Sequence, residues 1–391
     1  MYIKKSVLII CAAVLIMAVS IGTIMIVNPF GALQFDDLIK FNTGVAVLNR
    51  YYYEDVDSDL LLDGALAGVS YSVEDPYTVY MDKETAESFM ESVESDDYTG
   101  VGLYISNDSE DNRVTVVSPL SGSPAEKAGL VSGDKILEVD GTSVLGENLD
   151  EVAAKMKGKE GTDVKLKVLK KSSGETVEIT ITRATIKRET VTSKMIDDKI
   201  GYIQVTQFGV NTFTEFAEAF NGLLEKNMRK VVIDLRNNPG GYVDVAVRIA
   251  DSFLDGDKEI VYTLDKYGKK RDYTATEGIS KLPIVLLTNG GSASASEILV
   301  GALKDYDLAT VVGEKTFGKG VTQIPYEFFD GSIMKITDSR YYTPSGVCID
   351  KQGIEPDVTV KMSDEKYSRL SELTPMEDEQ LKKAIEILQS K

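Results

Sequence analysis

The 391-residue sequence contains no histidine. Ser–His–Asp and Cys–His catalysis both need imidazole as the proton shuttle, so neither is available. His-ligated zinc is excluded for the same reason, and two cysteines cannot build a cysteine-rich zinc site. Cys11 falls in an apolar N-terminal run and Cys348 is the only other cysteine, which rules out an intramolecular disulfide in the remainder of the chain. Basic charge is also scarce: 43 Lys and Arg face 62 Asp and Glu, for a net charge of −19. No basic stripe exists to neutralise phosphates, which argues against nucleic acid and against broad docking on anionic lipid. A hydrolase built from this sequence must take its base from Lys, Asp, Glu or Tyr. No internal repeat or long low-complexity linker is present, and the length suggests two or three folded units.

Long hydrophobic runs are confined to the start. After Lys4-Lys5 the chain is uncharged from Ser6 to Phe35. The stretch Ser6 to Val27 would span roughly 33 Å as a helix at about 1.5 Å per residue, enough for a hydrocarbon core of about 30 Å. There is no clear Ala-x-Ala-like cleavage site, and Ile10 before Cys11 does not suit a lipoprotein cysteine. The expectation is a retained single-pass anchor with Lys4 and Lys5 cytoplasmic and everything after about residue 30 outside.

From Asp36 to Asp97 the pattern is helical and acidic, broken at Asp75-Pro76. Calcium binding by these acids lacks the spacing and central glycine of a calcium loop. From Gly100 to Arg183 short β-rich runs take over. Arg113 to Val117, Lys135 to Val139, Val164 to Leu169 and Thr176 to Thr182 read as strands, with a tight turn at Asp140-Gly141. Ser123-Pro124-Ala125-Glu126 starts a short helix with cap, proline and capping-box acid in order, stopped by Gly129. Leu149 to Met156 reads as a second helix. From Gly201 strands and helices alternate, which predicts an α/β core with parallel pairing: strands Gly201–Thr206, Lys230–Leu235 and Pro283–Thr288, helices about Thr212–Lys226, Gly241–Phe253 and Ala293–Leu303. Glu377 to Leu388 is a final amphipathic stretch, suited to a terminal helix or a dimer contact.

Three segments carry candidate chemistry. In Thr288-Asn289-Gly290-Gly291-Ser292-Ala293-Ser294-Ala295-Ser296-Glu297, a buried strand runs through a Gly-Gly turn into a helix of small residues. A serine there sits where unpaired N–H groups favour developing negative charge. Arg236-Asn237-Asn238-Pro239-Gly240-Gly241 is a second glycine turn after a strand, and in an α/β layout both turns should lie on one sheet edge. The third is Phe317-Gly318-Lys319-Gly320 with Gln323 beyond it. Without histidine, lysine is the leading candidate base. Its ordinary pKa of about 10.4 has to fall through desolvation, for which Val311, Val312, Phe317, Val321 and Ile324 are the apolar candidates.

Taken in order, these segments resemble the carboxyl-terminal processing peptidases, the tail-specific serine peptidases of family S41. Asp75-Pro76-Tyr77-Thr78, Ser123 to Leu130 with Gly133-Asp134-Lys135-Ile136-Leu137, Asp234 to Gly241, the Ser-Ala-Ser-Ala-Ser-Glu run, Phe317 to Gly320, Tyr341 to Gly346 and Gly353 to Asp357 carry the likeness. The resemblance implies a multidomain α/β chain: a cytoplasmic stub and transmembrane helix over 1–30, a small helical domain over 31–97, a PDZ domain (β-rich α+β) over 98–185, an α/β crotonase/ClpP-like peptidase core over 186–362, and a helical segment over 363–391. It implies Ser294 as nucleophile, Lys319 as general base and Gln323 as the residue that holds the amine. The oxyanion hole falls on backbone N–H groups of Ala295 and of Gly240 or Gly241. Lys315 is the competing base, without flanking glycines, and Ser292, Ser296 and Glu297 take supporting parts. Gly100-Val101-Gly102-Leu103 matches the loop that receives a peptide's C-terminal carboxylate. Lys170 stands where many relatives carry arginine, which bears on coupling between PDZ domain and active site. No metal or cofactor is implied. The implied partners are protein substrates with flexible C-terminal tails, the membrane, and a second copy in a homodimer. The alternatives are a catalytically silent, membrane-tethered PDZ adaptor and an acyl-transfer enzyme.

Overall fold

The computed structural model describes residues 35–390 except 95–97, 108–110, 112, 121, 146–148, 187–188, 277, 279–280, 364–365, 368–369 and 371–372. The expected anchor over residues 6–27 lies outside the described residues, and no helix among the described residues is long and apolar enough to cross a membrane. The chain divides after Asp82 into two compact units.

The first unit holds α1 (Phe35–Tyr51), α2 (Ser58–Tyr71) and the short strand β1 (Val79–Met81). Asp57 starts α2 by accepting the Asp59 N–H at 2.9 Å, which satisfies one of the helix's orphan donors. At the Asp75-Pro76 break, Asp75 turns the chain by accepting the Tyr77 N–H and the Thr78 hydroxyl. Tyr80 then ties β1 to α2, its hydroxyl donating to Asp63 at 2.6 Å. α1 buries none of its residues.

The second unit opens with α3 (Lys83–Glu94) and continues into the β-rich region. Its elements are β2 (Tyr98–Gly100), β3 (Leu103–Asn107), β4 (Val114–Pro119), α4 (Pro124–Lys127), β5 (Lys135–Val139), β6 (Thr142–Ser143), α5 (Leu149–Met156), β7 (Asp163–Leu169), β8 (Thr176–Thr182) and β9 (Ala184–Ile186). An antiparallel sheet runs β3-β4-β5-β7-β8, with β6 paired to β5 and β2 paired separately to β9. The period-2 pattern of Val164, Leu166 and Val168 puts all three in the core, as strand geometry requires. α4 is capped as expected at Ser123, but Glu126 reaches back to the Gly122 N–H, one residue before the cap. Asp140 and Gly141 both have positive φ, the signature of the tight hairpin turn that starts β6.

The core follows with β10 (Val191–Met195), β11 (Ile200–Val205), α6 (Thr212–Glu225), β12 (Lys230–Asp234), α7 (Val243–Asp251), β13 (Glu259–Asp265), β14 (Lys270–Thr274), β15 (Ile284–Thr288), α8 (Ala295–Asp305), β16 (Ala309–Gly313), β17 (Val321–Glu327), β18 (Ile333–Tyr342), β19 (Val358–Thr359) and α9 (Glu379–Ser390). The main sheet runs β10-β11-β12-β15-β16-β19, parallel from β11 onward. Both faces are covered, which explains the continuous apolar runs in β12 and β15. Val231, Ile233, Ile284 and Leu286 pack against α6, α7 and α8. Val232, Val285 and Leu287 pack on the opposite face against Leu381, Ala384 and Leu388 of α9. The terminal amphipathic stretch thus spends its apolar face on its own sheet. A second, antiparallel sheet pairs β17 with β18, β18 with β13, and β13 with β14.

Candidate active site

β12 and β15 are parallel neighbours, so both glycine turns leave the same edge of the sheet. Side chains then stitch them together. Asn237 and Asn289 exchange bonds, with the Asn237 N–H on Asn289 Oδ1 at 2.9 Å and Asn289 Nδ2 on Asn237 Oδ1 at 2.8 Å. The Asn238 carbonyl accepts the Ala293 N–H and the Ser296 hydroxyl, both at 3.0 Å. Ser292 donates its hydroxyl to the Leu235 carbonyl at 2.8 Å. Ser292 and Ser296 are therefore pins between the turns. Gly240 lies so close that a Cβ would stand 2.7 Å from the Ala293 oxygen and 2.8 Å from Ser294 Cβ. Its N–H donates to Asn238 Oδ1 at 2.9 Å. Among the described residues, the N–H groups of Gly241 and Ala295 have no acceptor.

Ser294 occupies the N-cap of α8 with φ 55° and ψ −115°, a strained backbone for a residue with a Cβ. It is 9% exposed and opens on a cavity of about 600 Å³ shared with Gly241, Lys319 and Gln323. The far wall comes from the antiparallel sheet and α7: Asp244, Arg271, Tyr273, Asp338 and Tyr341. Burial, first among its causes, pushes the Tyr341 hydroxyl far above the ordinary tyrosine range, so it stays protonated.

The fully buried Glu297 joins the Ser294 turn to the Lys319 loop. Its Oε2 accepts the N–H groups of Ser294 at 2.8 Å and Lys319 at 2.9 Å. Its Oε1 accepts the Thr316 hydroxyl at 2.6 Å and the Gly318 N–H at 2.7 Å. Sharing one oxygen places the main-chain nitrogens of Ser294 and Lys319 within about 6 Å of each other. Burial raises the Glu297 carboxyl above its ordinary value, against the pull of these four donors.

The lysine loop is packed from behind. A Cβ at Gly320 would meet the Asp350 nitrogen at 2.0 Å, and one at Gly318, whose φ is +89°, would meet the Gly353 nitrogen at 2.9 Å. Gln323 lines the cavity and donates its amide to the Val321 carbonyl at 3.3 Å. Lys315, the competing base, forms an exposed ion pair with Glu355 at 2.8 Å and is not among the residues lining the cavity. The apolar set expected around Lys319 needs correction: Phe317 is 60% exposed, while Val321 and Ile324 do line the cavity.

Below the Gly240 turn lies a buried ionic network. Arg236 bonds Asp234 through Nη2 at 2.5 Å and Asp378 at 2.8 Å, and reaches Gln380 at 3.1 Å. The Tyr202 hydroxyl completes Asp234 at 2.7 Å. Burial pulls the Arg236 guanidinium down, but the two carboxylates outweigh it and hold it firmly charged.

In the β-rich region Gly100 ends β2, Val101 is buried, and Leu103 begins β3, an edge strand of its sheet. Gly102 has φ +78° and no room for a Cβ, which would fall 2.4 Å from Ser123 Cβ. The carbonyls of Val101 and Gly102 accept from Ala125 and Leu120. Lys170 donates to Asp134 at 2.5 Å and to the Gly129 carbonyl at 2.8 Å, inside the same region. Burial works to raise the Asp134 carboxyl, yet Lys170 and two N–H donors leave it below the ordinary range.

Of the residues singled out from the sequence, Ser294, Lys319, Gln323 and Gly241 line one cavity. Sequence reasoning gave Glu297 only a place at a helix start and missed Asn238, whose position after an apolar strand, before Pro-Gly-Gly, was the available signal. It also missed the cavity wall.

A serine and a lysine on one cavity at the edge where two glycine turns leave a parallel sheet fit a serine peptidase, and the chain belongs to Peptidase family S41, which its residues 199–360 match. Residues 115–170 match a PDZ domain, and residues 27–85 match the activating protease CtpB N-terminal domain. Within the family it is a serine endopeptidase similar to carboxy-terminal processing protease CtpA of Bacillus subtilis, at 39% identity over 342 residues, 87% of this chain and 71% of that one. CtpB of the same organism is 38% identical over 329 residues, covering 83% and 68%. A probable CtpA-like serine protease of Staphylococcus aureus strain N315 is 41% identical over 333 residues, covering 83% and 65%. Among solved structures, the photosystem II D1 C-terminal processing protease superposes with TM-score 0.53 at 32% identity, over 82% of this chain and 86% of that one.

Proposed function

We propose that this chain is a membrane-anchored endopeptidase acting outside the cytoplasm. It cleaves C-terminal regions of protein substrates with a Ser294–Lys319 dyad, and its PDZ domain holds the substrate's C-terminus. The observation that carries the reading is the single Glu297 oxygen bonded to the N–H groups of both Ser294 and Lys319, with both residues on one cavity.

The chemistry follows from the groups present. Neutral Lys319 takes the Ser294 hydroxyl proton as Oγ attacks the scissile carbonyl. The developing oxyanion is met by the N–H groups of Ala295 and Gly241. Both have no acceptor among the described residues, whereas the Gly240 N–H is already committed to Asn238. Gly240 serves instead as the packing glycine. Collapse of the tetrahedral intermediate passes the lysine proton to the leaving amine, and water then hydrolyses the acyl-enzyme by the reverse sequence. Gln323, anchored at Val321, holds the amine in the cavity.

For the tail, β3 offers a sheet edge that an extended peptide can extend, next to the Val101–Leu103 turn for its carboxylate. α1, with no buried residue and exposed Phe35, Ile39 and Leu48, supports a homodimer through the N-terminal helices. α9 is occupied on its own sheet.

Two measurements test the reading. Fluorescein-labelled casein is incubated with the wild type and with Ser294→Ala and Lys319→Ala. Cleavage by the wild type alone is expected; equal cleavage by all three sinks the dyad, and none by any favours a PDZ adaptor. For location, the protein is expected to stay with membranes through an alkaline wash and to be degraded by protease added outside intact cells. Release by the wash, or protection from the protease, counts against the anchor.

A further inference from the structure

We infer that Glu297 is a positioning residue: its carboxylate locks the nucleophile turn to the base loop, a job beyond capping α8. The inference rests on the Ser294–Lys319 reading. A capping-box acid at the third helical position needs only the N–H of the cap residue, here Ser294. Glu297 makes three further bonds, to Thr316, Gly318 and Lys319, none of which serves the helix.

All four partners are donors. The Thr316 hydroxyl accepts the Ile354 N–H at 2.7 Å, so its own proton is directed at Glu297. An ionised carboxylate is purely an acceptor with about four lone-pair sites, and this one is filled to that capacity. The side chain is completely buried, so no water competes for these sites. Ser294 is strained, and its N–H is one of the four donors. The distance between nucleophile and base is thereby set by one carboxylate with four donors rather than by two independent loops. A misplacement of about 1 Å between reacting groups is enough to lose roughly 100-fold in rate.

Two substitutions separate a clamp from a cap. In Glu297→Gln an amide replaces one oxygen and faces two donors it cannot satisfy. In Glu297→Asp the charge and the cap bond to Ser294 remain possible, but the side chain is one methylene too short to reach residues 316–319 as well.

Steady-state cleavage of fluorescein-labelled casein by the full chain is the test, with thermal melting on the same samples. Both variants are expected to lose about 100-fold in kcat, with KM within about threefold of wild type and Glu297→Asp melting within a few degrees of it. Wild-type kcat in Glu297→Asp makes Glu297 a helix cap only and overturns the inference, as does a loss carried by KM. If Glu297→Gln fails to fold, Glu297→Asp decides. Lys319→Ala runs in parallel: wild-type activity there sinks the dyad reading itself, a result distinct from any behaviour of the Glu297 variants.

Discussion

A backbone at φ 55° and ψ −115° is not one that serine adopts unaided, and such strain is worth on the order of 1–3 kcal/mol. At Ser294 it is held by Glu297 on one side and by Asn238 and Gly240 on the other. Gly240→Ala should therefore strike activity harder than its size suggests. Its φ is +102° and the new methyl would overlap the Ser294 turn. A fall in kcat of about 100-fold is expected, with slower labelling of Ser294 by a fluorophosphonate probe; labelling at the wild-type rate would refute the packing argument. At the same scale, the cleavage rate should climb with pH as Lys319 loses its proton, with no histidine inflection. A flat profile from mild acid to alkaline pH would exclude a lysine base. Glu297 adds a stability signature. Its folded pKa is raised by burial, so its contribution to stability is fully present below the unfolded carboxyl pKa of about 4.3 and is lost as pH rises through the folded value. The melting temperature of the wild type minus that of Glu297→Gln should thus shrink as pH rises above the ordinary carboxyl range. A constant difference would contradict the raised pKa.

Elements whose burial is local were legible in the sequence. β5, β8 and α5 fall on the expected residues because turn glycines and caps bound a clean period of two or 3.6. Of the parallel strands β16 and β19 went unread, but β11, β12 and β15 were legible as apolar runs, the last two ending in glycine turns, and with them Ser294 and the Gly240 turn. β13, β14, β17 and β18 were not. Lys270–Thr274 has no apolar face, and Val321–Glu327 contains Pro325, so these strands depend on cross-strand partners distant in sequence. The cavity wall of Arg271, Tyr273, Asp338 and Tyr341 belongs to that sheet, which is why half the site was invisible. Nor does any local pattern announce the Arg236 network, which Asp378 and Gln380 join from more than a hundred residues away. Asp378→Ala leaves a buried guanidinium with half its compensation, and a loss of about 3–5 kcal/mol is expected in denaturant unfolding. A loss below about 1 kcal/mol, the value of an exposed pair, would show the network to be dispensable.

At the scale of the whole molecule, the proposed homodimer turns on α1, a helix with a large apolar surface and nothing buried. Ile39→Asp with Leu48→Asp in the full chain should leave a monomer by light scattering in detergent, with wild-type cleavage of a short peptide per active site. A dimer that survives both substitutions would move the interface elsewhere. Lys170 is spent inside the PDZ region, on Asp134 and Gly129, so this side chain is not reaching toward the catalytic cavity.

The strip Asp350–Gly353 presses on Gly318 and Gly320 so closely that the loop between them has no room to recoil. An inhibitor entering the cavity therefore cannot gain space by pushing that loop backward. Its fit is decided at the front, where the walls come from β17, β18 and the hairpin of β13 and β14. Further binding contacts are best sought by reaching toward Arg271 and Asp338, and resistance substitutions should accumulate on those strands rather than behind the lysine.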